Sequence, residues 1–229
     1  MTTQSWKQFN KPFPHAFPVA RLVAFDMDGV LADIESSWVY VHRHFGVNND
    51  HSLRAYLRGD IDDLEFIRRD IELWRNVDSA VDSTTIGKIL RDVPIMPGAS
   101  KTISELRTRG VKTAIVSAGI DLLSERIVRE LGMDAHKANG FVVDPGGRLS
   151  GNGVLRVRLT EKGRAVDELA TSFGIRREDV VSVGNSLFDV SMFESSGFGI
   201  AFCPSDETVA RHAQAVILEK NLSKILDYI

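Results

Sequence analysis

Three short apolar runs, Arg21 to Phe25, Lys112 to Val116 and Asp179 to Val183, each break off into polar or glycine residues. Runs this short and this rich in valine read as strands buried on both faces, and helical stretches separate them. Strand alternating with helix along the chain predicts an α/β fold with a mainly parallel sheet. The expected order is strand, helices, strand, helix, hairpin, helix, strand, helix. In open sheets of this kind ligands bind where the carboxyl ends of strands hand over to loops, so that is where chemistry is expected.

Between Glu35 and Val93 charged and apolar residues recur at helical spacing, as in Leu64, Ile67, Ile71 and Trp74, and no β run interrupts them. This predicts a small helical cap over residues 35–93, inserted in a core made of residues 21–34 and 94–229. Pro94, Pro97 and Gly98 mark the return to the core, and Ala99 to Arg109 reads as a helix ending near Gly110. A hairpin is expected from Gly140 to Asp144 and Val154 to Leu159, around Pro145-Gly146-Gly147-Arg148. Residues 1–20 carry Trp6, Phe9, Phe13 and Phe17 without a signal-peptide pattern. They read as an N-terminal arm whose aromatics allow a homodimer.

The 28 basic and 31 acidic residues are interleaved and leave a formal net charge of -3. With neither a basic stripe nor an acidic tail, no nucleic-acid partner is expected. No stretch reaches the roughly 18 apolar residues of a membrane span, so no membrane partner is expected either. The single cysteine, Cys203, cannot form an internal disulfide, which suits a reducing interior and a cytoplasmic protein.

Four segments carry candidate chemistry. Asp26-Met27-Asp28-Gly29 follows the first strand and sets two carboxylates one residue apart. One can attack phosphorus as a nucleophile while the other gives and takes a proton. Taken alone, the same triplet also reads as a strand end capping a turn. Ser117-Ala118-Gly119 ends the second strand with a hydroxyl and backbone N–H groups, fit to cradle phosphate or simply to cap the next helix. Lys162 opens a later helix and can neutralise phosphate oxygens, although most lysines are solvated surface charges. Gly184-Asn185-Ser186-Leu187-Phe188-Asp189 follows the third strand with oxygen donors. Magnesium prefers hard oxygen ligands and keeps several waters, so Asp26, the Asp28 carbonyl and a residue here make a reasonable sparse site.

Taken together and in this order, the four segments resemble the signature of the haloacid dehalogenase-like (HAD) superfamily, over residues 21–229. The resemblance implies a Rossmann-like core and a magnesium-dependent phosphomonoesterase acting on a small metabolite. Asp26 would be the nucleophile and Asp28 the general acid and base. Ser117, Gly119 and Lys162 would bind phosphate, and Mg2+ would be held by Asp26, Asp28, Asn185 and Asp189. The segment Lys137 to Arg158 is similar to the phosphoserine phosphatase branch, which would place the chain in serine biosynthesis. In that branch a glutamate and an arginine of the cap hold the amino and carboxylate groups of serine. Glu35 and Arg68 match by spacing and context, with Arg69 and Arg75 as alternatives for the carboxylate. Two departures stand out: Asn185 replaces the usual aspartate of Gly-Asp, and Phe188 replaces an asparagine. Asn185 weakens the expected metal site and leaves room for a binding module with low turnover, or for a phosphatase of another small phosphoester.

Overall fold

The structure is a computed structural model and describes residues 19–229. Nearly all of the expected N-terminal arm, with its four aromatics, lies outside the described residues. A seven-stranded sheet in the order β4-β3-β2-β1-β5-β6-β7 forms the centre. Its strands are β1 (Leu22–Phe25), β2 (Lys112–Ile120), β3 (Ala135–Val143), β4 (Leu149–Val154), β5 (Val180–Gly184), β6 (Phe198–Phe202) and β7 (Ala215–Ile217). Every pairing is parallel except that of β3 with β4. All residues of β1 and β5 are buried, which accounts for their unbroken apolar character at the middle of a two-faced sheet.

β1 hydrogen-bonds to β2 on one side and to β5 on the other. The chain therefore builds outward to one edge and then to the other, leaving a crevice at the carboxyl ends where the strand order reverses. The pairing of β2 with β3 shifts register between Val116 and Ile120, so the ladder is interrupted at Ser117 to Gly119.

Four helices lie between β1 and residue 91: α1 (Ser37–His44), α2 (Asp50–Leu57), α3 (Asp63–Val77) and α4 (Ser83–Arg91). Asp62 and Asp82 cap α3 and α4 by accepting from Glu65 N and Thr85 N. Ile67, Ile71 and Trp74 of α3 are buried, as their spacing predicts. Then follow α5 (Ala99–Thr108), α6 (Asp121–Leu131), α7 (Lys162–Ser172), α8 (Val190–Glu194) and α9 (Glu207–His212).

Two sequence expectations change. The hairpin's second arm is Leu149–Val154, not Val154–Leu159, because the turn is tight. Asp144 Oδ1 accepts from Gly146 N and Arg148 N, and Gly147 takes φ 82, so the chain reverses within five residues. β6 and β7 were not expected at all. They are short and lie between short helices, so no periodicity of either kind has length to show.

Candidate active site

Asp26 follows directly on β1, its N–H donating to Val183 O of β5 at 2.9 Å. The residue is 4% exposed. The next turn depends on Gly29, at φ 80, where an added Cβ would lie 2.1 Å from Asn185 Nδ2. Only glycine accepts that backbone without strain, and only without a side chain can the Asn185 amide press against the Asp26 to Gly29 turn. The sequence-distant motifs after β1 and β5 thus meet.

Lys162, 3% exposed at the start of α7, places Nζ 2.9 Å from Asp26 Oδ1 and 2.7 Å from Asp189 Oδ1. The first is a charge contact and the second a directed hydrogen bond. Asp189 Oδ2 accepts from Asn185 N, Ser186 N and Ser186 Oγ. These contacts correct the expectation that Asp189 is a metal ligand: one oxygen is saturated by the turn and the other holds the lysine. Asp189 positions Lys162.

Asp28 Oδ2 accepts from Ser37 N at 2.8 Å and Ser37 Oγ at 2.9 Å, whereas Asp28 Oδ1 is buried without a partner. Burial raises the Asp28 pKa against the lowering effect of those two bonds. Burial, followed by the Asp189 charge, pushes Asp26 up to about 7. Burial alone would lower the Lys162 pKa, but Asp189 and Asp26 outweigh it and hold the ammonium protonated.

Ser117, 2% exposed, accepts from Gly119 N at 3.0 Å, which leaves its own hydroxyl proton free for another acceptor. It caps no helix, since α6 begins after Ile120 without a side-chain cap. The same bond occupies the Gly119 N–H that the sequence offers to phosphate. Gly119 provides clearance: a Cβ there would lie 2.5 Å from Ser37 Oγ and 2.8 Å from Asp28 Oδ2.

These groups open into a cavity of about 410 Å³ lined by Asp26, Asp28, Ser117, Lys162, Asn185 and Phe188 at one end and by α1, α2 and α3 residues at the other. Glu35 reaches its lining but is exposed and paired with Arg43 at 2.7 Å. Arg68 does not line it. The residues of α3 that do are Asp63, Phe66, Ile67 and Asp70, one helical face. Arg68 falls off that face and is held by Glu65 at 2.6 Å and Glu72 at 2.9 Å. The structure brings none of Arg68, Arg69 and Arg75 into the lining, where the sequence places a holder of a substrate carboxylate.

Sequence reasoning missed Ser37 and Asn139. Ser37 Oγ, besides binding Asp28, accepts from Ile120 N at 3.0 Å and so joins three segments. Asn139, 2% exposed, accepts from Arg156 N and Val157 N and donates to Val157 O, fixing the segment after β4 against the site. A serine beside a helix start and an asparagine before a glycine look like ordinary cap and turn residues, so neither carried a signal.

The donor set fits a magnesium ion. Buried Asp26 and Asp189 and half-buried Asp28 set three carboxylates against one buried ammonium, and burial followed by the neighbouring carboxylates raises the Asp26 pKa. No group of three or more acidic, histidine or cysteine side chains forms a metal cage among the described residues. A sparse site of oxygen donors with several waters is the arrangement that suits magnesium.

The family profile of haloacid dehalogenase-like hydrolases matches residues 23–194, three quarters of the chain and every element of this site. The chain belongs to the haloacid dehalogenase-like hydrolase family. Within it, the chain is 30% identical to a phosphoserine phosphatase of Methanocaldococcus jannaschii, over 91% of this chain and 97% of that one. It is also similar to a solved phospho-aspartyl intermediate analogue of phosphoserine phosphatase, at TM-score 0.76 and 29% identity, covering 92% of this chain and 99% of the other. A substrate-bound phosphoserine phosphatase complex is matched at TM-score 0.77 and 28% identity, over 92% and 98%. This HAD hydrolase has the family's α/β fold with its mostly parallel sheet.

Proposed function

We propose that the chain is a magnesium-dependent phosphomonoesterase of small metabolites that works through an aspartyl phosphate on Asp26. The observation that carries the reading is the contact of Lys162 with Asp26 at 2.9 Å, beside an Asp28 oxygen that is buried and unpartnered. Lys162 favours the ionised, attacking form of Asp26 against the burial that disfavours it, and it balances charge on the phosphoryl oxygens. The Ser117 hydroxyl donates to one of those oxygens. A carboxylate oxygen of Asp26 bonds to phosphorus as the ester P–O bond breaks, and the departing alkoxide takes the proton held on Asp28 Oδ1. Water then attacks phosphorus and passes its proton back to Asp28, and the P–O bond to Asp26 breaks to release inorganic phosphate.

Asp26, the Asp28 carbonyl oxygen and the Asn185 side-chain oxygen would hold the magnesium, which offsets repulsion between a phosphate dianion and the carboxylates. The neutral Asn185 makes this a weaker site than one with aspartate there. Residues 35–93 act as a lid, since they supply one end of the cavity while the strand ends supply the other.

O-phosphoserine is the substrate that the named relatives suggest, and a cytoplasmic setting goes with it. Phosphate release from p-nitrophenyl phosphate and a panel of small phosphoesters, with and without magnesium, tests the reading. Release should need magnesium and should fall by at least about a thousandfold in Asp26→Asn, in line with loss of a covalent nucleophile. Undiminished release in that variant overturns the mechanism.

A further inference from the structure

The lid end of the cavity differs chemically from a pocket for a zwitterion. Its charged lining residues are Glu35, Asp63 and Asp70, and Lys162, at the opposite end, is the sole lysine or arginine in the lining among the described residues. Lys162 is already shared by Asp26 and Asp189. The cations nearest that end, Arg158 at 3.9 Å from Asp63 Oδ2 and Arg43 on Glu35, stand outside the lining, and three carboxylates stand inside it.

The acids are not equivalent. Asp63 is engaged by the fold, accepting from Tyr56 Oη at 3.1 Å and Leu159 N at 2.8 Å. Glu35 is exposed and paired with Arg43. Asp70 is 3% exposed and accepts from one amide group, Asn49 Nδ2, at 3.0 Å and 3.1 Å to its two oxygens. Its remaining neighbour is His42, whose Nε2 lies 3.5 Å from Asp70 Oδ1.

Trp74 Nε1 donates to His42 Nδ1 at 2.7 Å, so Nδ1 is an acceptor and the ring's one proton belongs on Nε2. A second proton would set two donors against each other. The Asn49 amide carries no charge to set against Asp70, and His42 Nε2 at 3.5 Å makes no directed hydrogen bond to it, so the Asp70 oxygens retain acceptor capacity. Burial raises the Asp70 pKa against the lowering effects of His42 and the Asn49 amide. Trp38, Leu53, Phe66 and Ile67 line the space around it with apolar and aromatic surface. Such surface strengthens a charge contact and accepts alkyl or ammonium groups.

We propose that Asp70 is a specificity-determining residue that receives a cationic nitrogen on the leaving alcohol, and that the preferred substrate is an aminoalkyl phosphomonoester without a carboxylate. This deepens the phosphomonoesterase reading and rests on it. It departs from the substrate named for the relatives: the guanidinium expected at Arg68 lies outside the cavity, and a buried acid two residues on lies inside it.

Three alkyl phosphates separate the terms. O-phosphoserine and O-phosphoethanolamine differ only by the carboxylate, and ethyl phosphate lacks both charged groups. With magnesium present, kcat/KM should be at least about tenfold higher for O-phosphoethanolamine than for either of the others, one factor of ten being the smallest that marks a charge contact. In Asp70→Asn the ratio of O-phosphoethanolamine to ethyl phosphate should collapse by at least about tenfold, whatever the absolute rates. A purely structural role for Asp70 lowers both substrates together and keeps the ratio, which would overturn the assignment. A preference for O-phosphoserine would overturn it too. Hydrolysis of p-nitrophenyl phosphate with no ammonium preference sinks this inference and spares the phosphatase reading. Absence of release from every ester sinks both.

Discussion

Asp26 is an acid that burial and two neighbouring carboxylates make reluctant to ionise, with one ammonium opposing them. Its pKa of about 7 in the metal-free fold, against an ordinary 3.8, has a consequence for stability. Between those values the native state binds more protons than the unfolded one, so this group lowers stability as pH rises through the window. A bound divalent cation removes the penalty by holding the ionised form, and binding releases a proton. Thermal melts in chelator should therefore drop as pH goes from 5 to about 7.5, and the shift produced by magnesium should grow over the same range. Magnesium affinity should weaken as pH falls below about 7, approaching tenfold per unit. An affinity flat from pH 5 to 8 would show that Asp26 is not the titrating ligand.

At the scale of elements, α1 matters less for its length than for its first residue. Ser37 is fully buried and ties Asp28 to the N-terminus of α1 and to the end of β2 at Ile120. Ser37→Ala removes the hydroxyl donor to Asp28 and the acceptor of Ile120 N. It should cost about 1–3 kcal/mol of stability, the range for leaving buried partners unmatched. Because the lost bond lowers the Asp28 pKa, its removal should let the acid form persist to higher pH and move the basic limb of the kcat profile upward. A variant that is less stable with an unmoved limb would reduce Ser37 to a packing residue. α3 makes the complementary point: Asp63, Phe66, Ile67 and Asp70 share one face, and Arg68 belongs to another.

For the molecule as a whole, the cavity has two walls from different parts of the chain, the strand ends and the helices between residues 37 and 77. Val81 and the start of α4 rest on the hairpin: Ser83 N donates to Gly147 O and Leu149 N to Val81 O. A Cβ on Gly153 would lie 2.5 Å from Ile67 Cγ2, so the absence of a side chain lets α3 lie close to β4. A ligand that bridges both walls should order them together. With magnesium and a tight phosphate mimic such as orthovanadate, amide exchange should slow in α1 to α3 and after β1, β2 and β5. Protection confined to the strand ends would remove the lid role proposed for residues 35–93.

Much of this was readable along the chain. Burial on both faces makes β1 and β5 continuous apolar runs, and a parallel sheet delivers its ligands to the ends of such strands. Asp26, Asp28, Lys162 and Asn185 each stand just past a strand or at a helix start, Ser117 stands where the β2 ladder is interrupted, and all line the cavity. β6 and β7 were not legible, being short and aperiodic. The exchange of Arg68 for Asp70 was equally hidden, because residues two apart differ by more than half a turn and only packing decides which face is inward. Ser37, the saturated Asp189 and the spent N–H of Gly119 belong to the same class. Residue type and order set which chemistry is present, since they follow from local backbone preference and burial. Which groups remain free to act depends on who occupies each oxygen and each N–H, and those partners come from segments brought together only by folding.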